Sequence, residues 1–116
     1  MKKPKFLEPD ENLIGKWTIV YKPENKGLYN GNLYVTDKRL IYDARFDLSA
    51  TGLIKETLML QWGSQKFLAI PKSEIENTEI KSSFFKKQLI VHLKDGSKHI
   101  FDYGMLSVKK LAEAVK

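Results

Sequence analysis

Residues 81–87, KSSFFKK, set two adjacent aromatic side chains, Phe84 and Phe85, among the cations Lys81, Lys86 and Lys87. An apolar wedge ringed by lysines suits the interfacial zone of a membrane, where each nearby cation adds about 1 kcal/mol on an anionic surface. Neighbouring residues of a strand point to opposite faces, so at most one of the two phenylalanines is expected to face the core and the other is left for an interface. A strand-end aromatic that covers a barrel mouth or a neighbouring subunit accounts for the same residues. A second basic feature is YKPENKG, which carries Lys22 and Lys26, with Lys16 nearby and Glu24 inside the loop. A pocket for phosphate esters calls for several converging cations, often arginines whose paired N–H groups fix geometry, and this loop has few.

Residues for catalysis are sparse. There is no cysteine and no G-x-S-x-G elbow, and the only two histidines are His92 and His99. These histidines would meet across a two-residue turn but not across a turn one residue longer, and no third metal ligand stands at useful spacing beyond Asp95 and Asp102. Glu74, Glu76 and Glu79 are spaced so that a strand sends them to different faces. Glycine-rich phosphate cradles are absent. No catalytic residue, metal or cofactor is therefore assigned, and an enzyme is not expected. Basic and aromatic residues could also serve nucleic acid, but no RNA-binding or helix-turn-helix motif is present and Lys109 and Lys110 read as the polar face of a helix, so nucleic acid is not the expected partner.

The 116 residues suit one domain with a single core. With 42% hydrophobic and 29% charged residues the chain has the composition of a soluble globular protein. The net charge of +6 is uneven: 8 basic and 5 acidic residues in 1–40, 4 and 6 in 41–80, 8 and 3 in 81–116. A fold that brings the two ends together would make one basic side, attractive to phosphate groups. The start, MKKPKFLEPDENL, lacks the apolar run of a secretory signal, and no run approaches the roughly 20 apolar residues of a spanning helix. The expected location is the cytoplasm, at the periphery of a membrane if lipid is the partner, with residues 1–10 as a flexible arm.

These surfaces need elements to position them. IGKWTIVY reads as a strand, with Ile14, Thr18 and Val20 marking its pattern around Lys16, stopped by PENKG. In LYVTDKRLIY a two-residue turn at Asp37 and Lys38 would pair Val35 with Leu40 and Leu33 with Tyr42 on one face, Tyr34 with Ile41 and Thr36 with Arg39 on the other. Asp tolerates the left-handed backbone of such a turn, whereas Lys in second place suits it less than Gly, so a longer bulged turn is the alternative. In residues 47–66, DLSATG reads as a turn, and LIKETLMLQW fits a short strand or a helical turn, so this part is treated as an irregular excursion. KFLAI and IENTEI suggest two short strands joined through Pro71. KKQLIVHLKDGSKHIFDY is a hairpin. A three-residue turn with a glycine bulge pairs Val91 with His99 and gathers Leu89, Val91, Leu93, Phe101 and Tyr103, a better core set than the two-residue register gives. Met105, Val108, Leu111, Ala112 and Val115 recur at helical spacing, so a helix over 105–116 is expected, with Leu111 buried.

About seven antiparallel strands and one terminal helix are most economically arranged as a curled sheet plugged at one opening. GNLYVTDKRLIYDARF resembles the signature of GRAM domains and related bacterial pleckstrin-homology-like domains: Gly31, Leu33, Tyr34, Thr36, Arg39, Leu40, Ile41 and Tyr42 stand where that pattern has a glycine, an apolar strand, Thr, a polar turn, Arg and an apolar strand. IPKSEIENTEI, LIVHLKDGSKHIFDY and the closing helix resemble its second half. The resemblance implies a mainly β fold, a pleckstrin-homology-like split barrel of about seven strands capped by an α-helix, as one domain over 1–116. It also implies a noncatalytic binding module acting at a protein or anionic membrane surface. In lipid-binding relatives, cations of the first loop grip inositol phosphates, and this nominates Lys22 and Lys26. The alternative is a structural or oligomerising domain that joins a partner, or a second copy, through a sheet edge and the Phe84 and Phe85 loop.

Overall fold

The computed structural model describes residues 7–23, 28–47, 59–62 and 65–116. Among the described residues eight strands, β1 (Leu13–Pro23), β2 (Tyr29–Thr36), β3 (Arg39–Asp47), β4 (Met59–Trp62), β5 (Gln65–Pro71), β6 (Ile75–Ser82), β7 (Lys87–Leu93) and β8 (Lys98–Asp102), precede one α-helix, α1 (Lys109–Val115). They form a single antiparallel sheet in the order β4-β5-β3-β2-β1-β8-β7-β6. The protein is thus mainly β, a split barrel whose two outer edges are β4 and β6. The eighth strand, one more than expected, is β4, which falls in the stretch that the sequence leaves as an irregular excursion. Residues 48–58 and 63–64 of that stretch lie outside the described residues.

Strand β1 is the seam. It pairs with β2 from Leu13 to Tyr21, and its last residues, Val20 to Pro23, pair with β8. Its inward residues are Trp17, Ile19 and Tyr21, while Ile14 and Thr18 are exposed. The core phase is therefore opposite to the one that Ile14, Thr18 and Val20 suggested: the large aromatics on the other face have more apolar area to remove from water. One core cluster joins residues from both halves of the sheet, among them Leu33, Leu40, Tyr42, Leu68, Leu89, Val91 and Phe101, so the sheet curls round a common interior. Inside it the ring centroids of Tyr21, Tyr42 and Phe101 lie 5.3–5.9 Å apart. The Tyr42 hydroxyl lies 2.7 Å from the Ile19 carbonyl and 2.8 Å from that of Tyr29, and burial holds it protonated well beyond the usual tyrosine range.

The first hairpin has the two-residue register, with Leu33 opposite Tyr42, Tyr34 opposite Ile41 and Val35 opposite Leu40. Its turn does not use the left-handed backbone expected of it, because positive φ occurs only at Gly96 and Gly104 among the described residues. Thr36 holds the bend instead: its Oγ1 accepts the N–H groups of Lys38 at 3.1 Å and Arg39 at 3.0 Å. Gly31, opposite Ala44 at a bulge, is required by close approach, since a Cβ there would lie 2.1 Å from the Asp43 carbonyl oxygen. The second hairpin takes the bulged register, with Val91 opposite His99 and Gly96 at φ 92°.

Helix α1 closes one opening with Leu111, Ala112 and Val115, and Val108 joins them just before its first turn. It packs on β1 and β2, and the Lys72 ammonium donates to the Ala114 carbonyl at 2.8 Å, near its C-terminal end. The helix begins four residues later than its spacing suggested. Gly104, at φ 63°, turns the chain first, and Met105 stays outside the core.

Candidate functional site

The two histidines do not converge. His99 is buried and its Nδ1 lies 2.6 Å from the Tyr21 hydroxyl, whereas His92 sits on the outer face, 3.1 Å from Glu79 Oε1. The bulge at Gly96 puts them on opposite faces of the sheet. A shallow polar depression lies beside His92, lined by Glu76, Thr78, Glu79 and Ser97. Among the described residues no group of three or more His, Cys, Asp or Glu side chains could hold a metal ion. Asp95 instead closes its own turn, where the Ser97 hydroxyl and N–H hold its carboxyl below the usual range.

The cations around the first loop are not gathered either. Lys22 is paired with Asp102 at 3.0 Å, and that carboxylate also accepts the Gly104 N–H at 2.8 Å. Burial works against ionisation of Asp102, but the Gly104 N–H, Lys22 and Gln88 outweigh it and hold the group ionised below its usual range. Lys16 lies 5.6 Å from the centroid of the Tyr34 ring, six residues back along β1 and so about 20 Å from Lys22. Lys26 lies outside the described residues.

The segment between β6 and β7 is the most exposed apolar feature of the described residues. Ser82 pairs with Lys87, and the Ser83 N–H donates to the Lys86 carbonyl at 2.8 Å, so Phe84 and Phe85 are the two central residues of a tight turn. Neither faces the core: Phe84 is 78% exposed and Phe85 72%. The expectation from a strand was that at most one would face the core; here both are left outside it. The alternation of faces holds only within a strand, and both residues are beyond its last bonded pair. Nor does either cover a barrel mouth. Their rings meet edge to face at 4.7 Å and 80°, which makes one projecting apolar unit. Lys86 and Lys81 are exposed beside it, and the Lys87 ammonium donates to the Ser83 carbonyl and braces the turn.

Sequence reasoning missed a polar knot at the other hairpin. Glu11 is 1% exposed and receives Arg39 Nε at 2.8 Å, Arg39 Nη2 at 3.0 Å and the Thr36 hydroxyl at 2.7 Å. Burial opposes ionisation of Glu11, yet the hydrogen bonds from Arg39 and Thr36 and the backbone bond involving Glu8 prevail, and its carboxyl titrates below its usual range. Asn12 and Asp37 exchange backbone and side-chain hydrogen bonds, and Asp10 pairs with Lys38. Residues 8–12 thus lie against the turn, with Leu7 packed on Tyr34, Ile41 and Phe67 outside the barrel. The one available signal was an acidic run, EPDEN, ahead of a basic turn.

No family model and no curated protein matches this chain. Among solved structures it is similar to the C-terminal domain of an unknown protein from Leishmania infantum, with a TM-score of 0.60 and 15% identity over 90% of this chain and 79% of that one. That likeness is one of fold. Among the described residues no helix is long and apolar enough to cross a membrane.

Proposed function

We propose that this chain is a noncatalytic binding module of GRAM or pleckstrin-homology-like type that docks on an anionic membrane surface through the turn between β6 and β7. The observation that carries the reading is the exposed, edge-to-face pair Phe84 and Phe85 at the tip of a braced turn with Lys81 and Lys86 beside it. Exposed aromatics gain free energy in the interfacial zone, and the lysines attract anionic headgroups. The split barrel, its closing helix and the GNLYVTDKRLIY signature support the type of module. Cosedimentation with phosphatidylcholine vesicles, with and without phosphatidylserine, tests the reading. The wild type is expected to bind only the anionic vesicles, more weakly as salt is added, and Lys86→Glu with Lys87→Glu to lose at least about tenfold in partitioning. A wild type that ignores anionic vesicles at low salt overturns it.

A second reading is favoured by the outer edge of β6, which is mostly exposed and carries Ile80 on its surface. A second copy or a partner strand could pair there. In that case Phe84→Ser with Phe85→Ser changes the oligomeric mass in solution and vesicles have no effect.

A further inference from the structure

Two backbone hydrogen bonds, Lys87 N–H to the Gly104 carbonyl at 2.7 Å and Tyr103 N–H to the Lys87 carbonyl at 2.9 Å, place the chain after β8 directly beside the turn that carries Phe84 and Phe85. There Gly104 reverses the chain, and the Leu106 N–H donates to the Tyr103 carbonyl at 3.2 Å to make a second tight bend. Its two apolar side chains project outward, Met105 at 65% exposure and Leu106 at 59%. A helix begun at residue 105 would have turned Met105 toward the core; the bend withholds both residues from it. Four large apolar side chains from two separate segments are thereby exposed at one end of the sheet.

We propose that these two bends form a two-pronged wedge that enters the interfacial zone of an anionic bilayer, Phe84 and Phe85 making one prong and Met105 and Leu106 the other. The inference rests on the membrane reading above and adds to it a second insertion site and an orientation. Charge selects the occupant. From residue 80 to 93 the chain carries Lys81, Lys86 and Lys87 and no acid, and from 103 to 112 it carries Lys109 and Lys110 and no acid. The carboxylate nearest in sequence, Asp102, is occupied by Lys22 and the Gly104 N–H. Shape points the same way: the apolar residues sit on projecting bends and not in a groove, which suits a fluid surface with anionic headgroups above an apolar interior. Insertion by this end leaves the turn between β7 and β8, with the neighbouring end of β1 that leads to the Lys26 loop, about 20 Å away at the other end of β7.

The chain has no cysteine, so single-cysteine variants carry a polarity-sensitive dye at one place only. With equimolar phosphatidylcholine and phosphatidylserine vesicles, the dye on Leu106→Cys is expected to shift to the blue and to be quenched by brominated acyl chains. The dye on Lys94→Cys, at the opposite end, is expected to do neither. In unlabelled protein, Met105→Ser with Leu106→Ser should lower vesicle partitioning roughly tenfold and leave the melting temperature near wild type, because both residues are exposed. Partitioning that the double variant leaves unchanged, or a dye at residue 106 that stays in water while the protein sediments with vesicles, overturns the second prong and leaves docking by Phe84 and Phe85 standing. A wild type that does not sediment with these vesicles overturns both.

Discussion

Two of the hairpins in the sheet, β2–β3 and β6–β7, are closed by short turns of opposite character. The turn between β2 and β3 is polar and wholly engaged: Thr36 bonds its backbone, and Glu11, Asn12 and Asp10 meet Arg39, Asp37 and Lys38 from outside. The turn between β6 and β7 has two phenylalanines at its centre, and no described side chain covers them. Folding alone accounts for the first, since every polar group there has a structural partner. It does not account for the second, because exposed aromatic area at a turn adds nothing to the core and invites association. The contrast separates a turn that holds the fold from a turn that is free to hold something else.

The sharpest way to break the comparison is to remove Glu11. Glu11→Ala leaves the Arg39 guanidinium and the Thr36 hydroxyl without their acceptor, and the expected loss is about 3 kcal/mol in a urea melt, with vesicle binding by the folded protein unchanged. A loss below about 0.5 kcal/mol would show that the knot is ornamental to stability.

The same carboxylate sets a pH dependence. Its folded pKa lies below the ordinary glutamate range, so its contribution is complete above the unfolded pKa and is lost as pH falls through the folded one. The melting temperature of Glu11→Gln should therefore lie well below wild type at neutral pH, and the gap should close as both are titrated below about pH 4. A gap that is constant across this range would assign the effect to packing.

The smallest expected effect on stability belongs to the other turn. Phe84→Ser with Phe85→Ser should move the unfolding free energy by no more than about 0.5 kcal/mol, since neither ring is in the core, while binding to anionic vesicles falls. Destabilisation by more than about 2 kcal/mol would mean that the pair supports the fold, and the contrast between the turns would fail.

The residues of the family-like signature belong to the first kind of turn. Gly31 permits close approach to Asp43, Thr36 holds the bend and Arg39 binds Glu11, so the signature describes how this hairpin is built. It speaks to fold and is silent on ligand.

What the sequence determined by itself was local. Both preferred hairpin registers were legible in period-two alternation and the residues between the strands: Asp37 and Lys38 fit a two-residue turn, which the structure selects over the longer bulged alternative, and Gly96 supplies the positive φ that a bulge needs. The buried stripe of α1, Leu111 included, follows from its 3.6-residue spacing. The phase of β1 did not follow, because both of its faces carry apolar residues and only the position of the helix and the opposite strands decides which face is inside. Glu11 meets Arg39 across 28 residues, and the bend at Met105 comes beside the turn of Phe84 and Phe85 through the hydrogen bonds that Lys87 makes with Tyr103 and Gly104. Such contacts depend on how the strands are ordered in the sheet, which no local pattern encodes. For that reason a helix written in the sequence from Met105 became, in the folded chain, an exposed bend followed by a shorter helix.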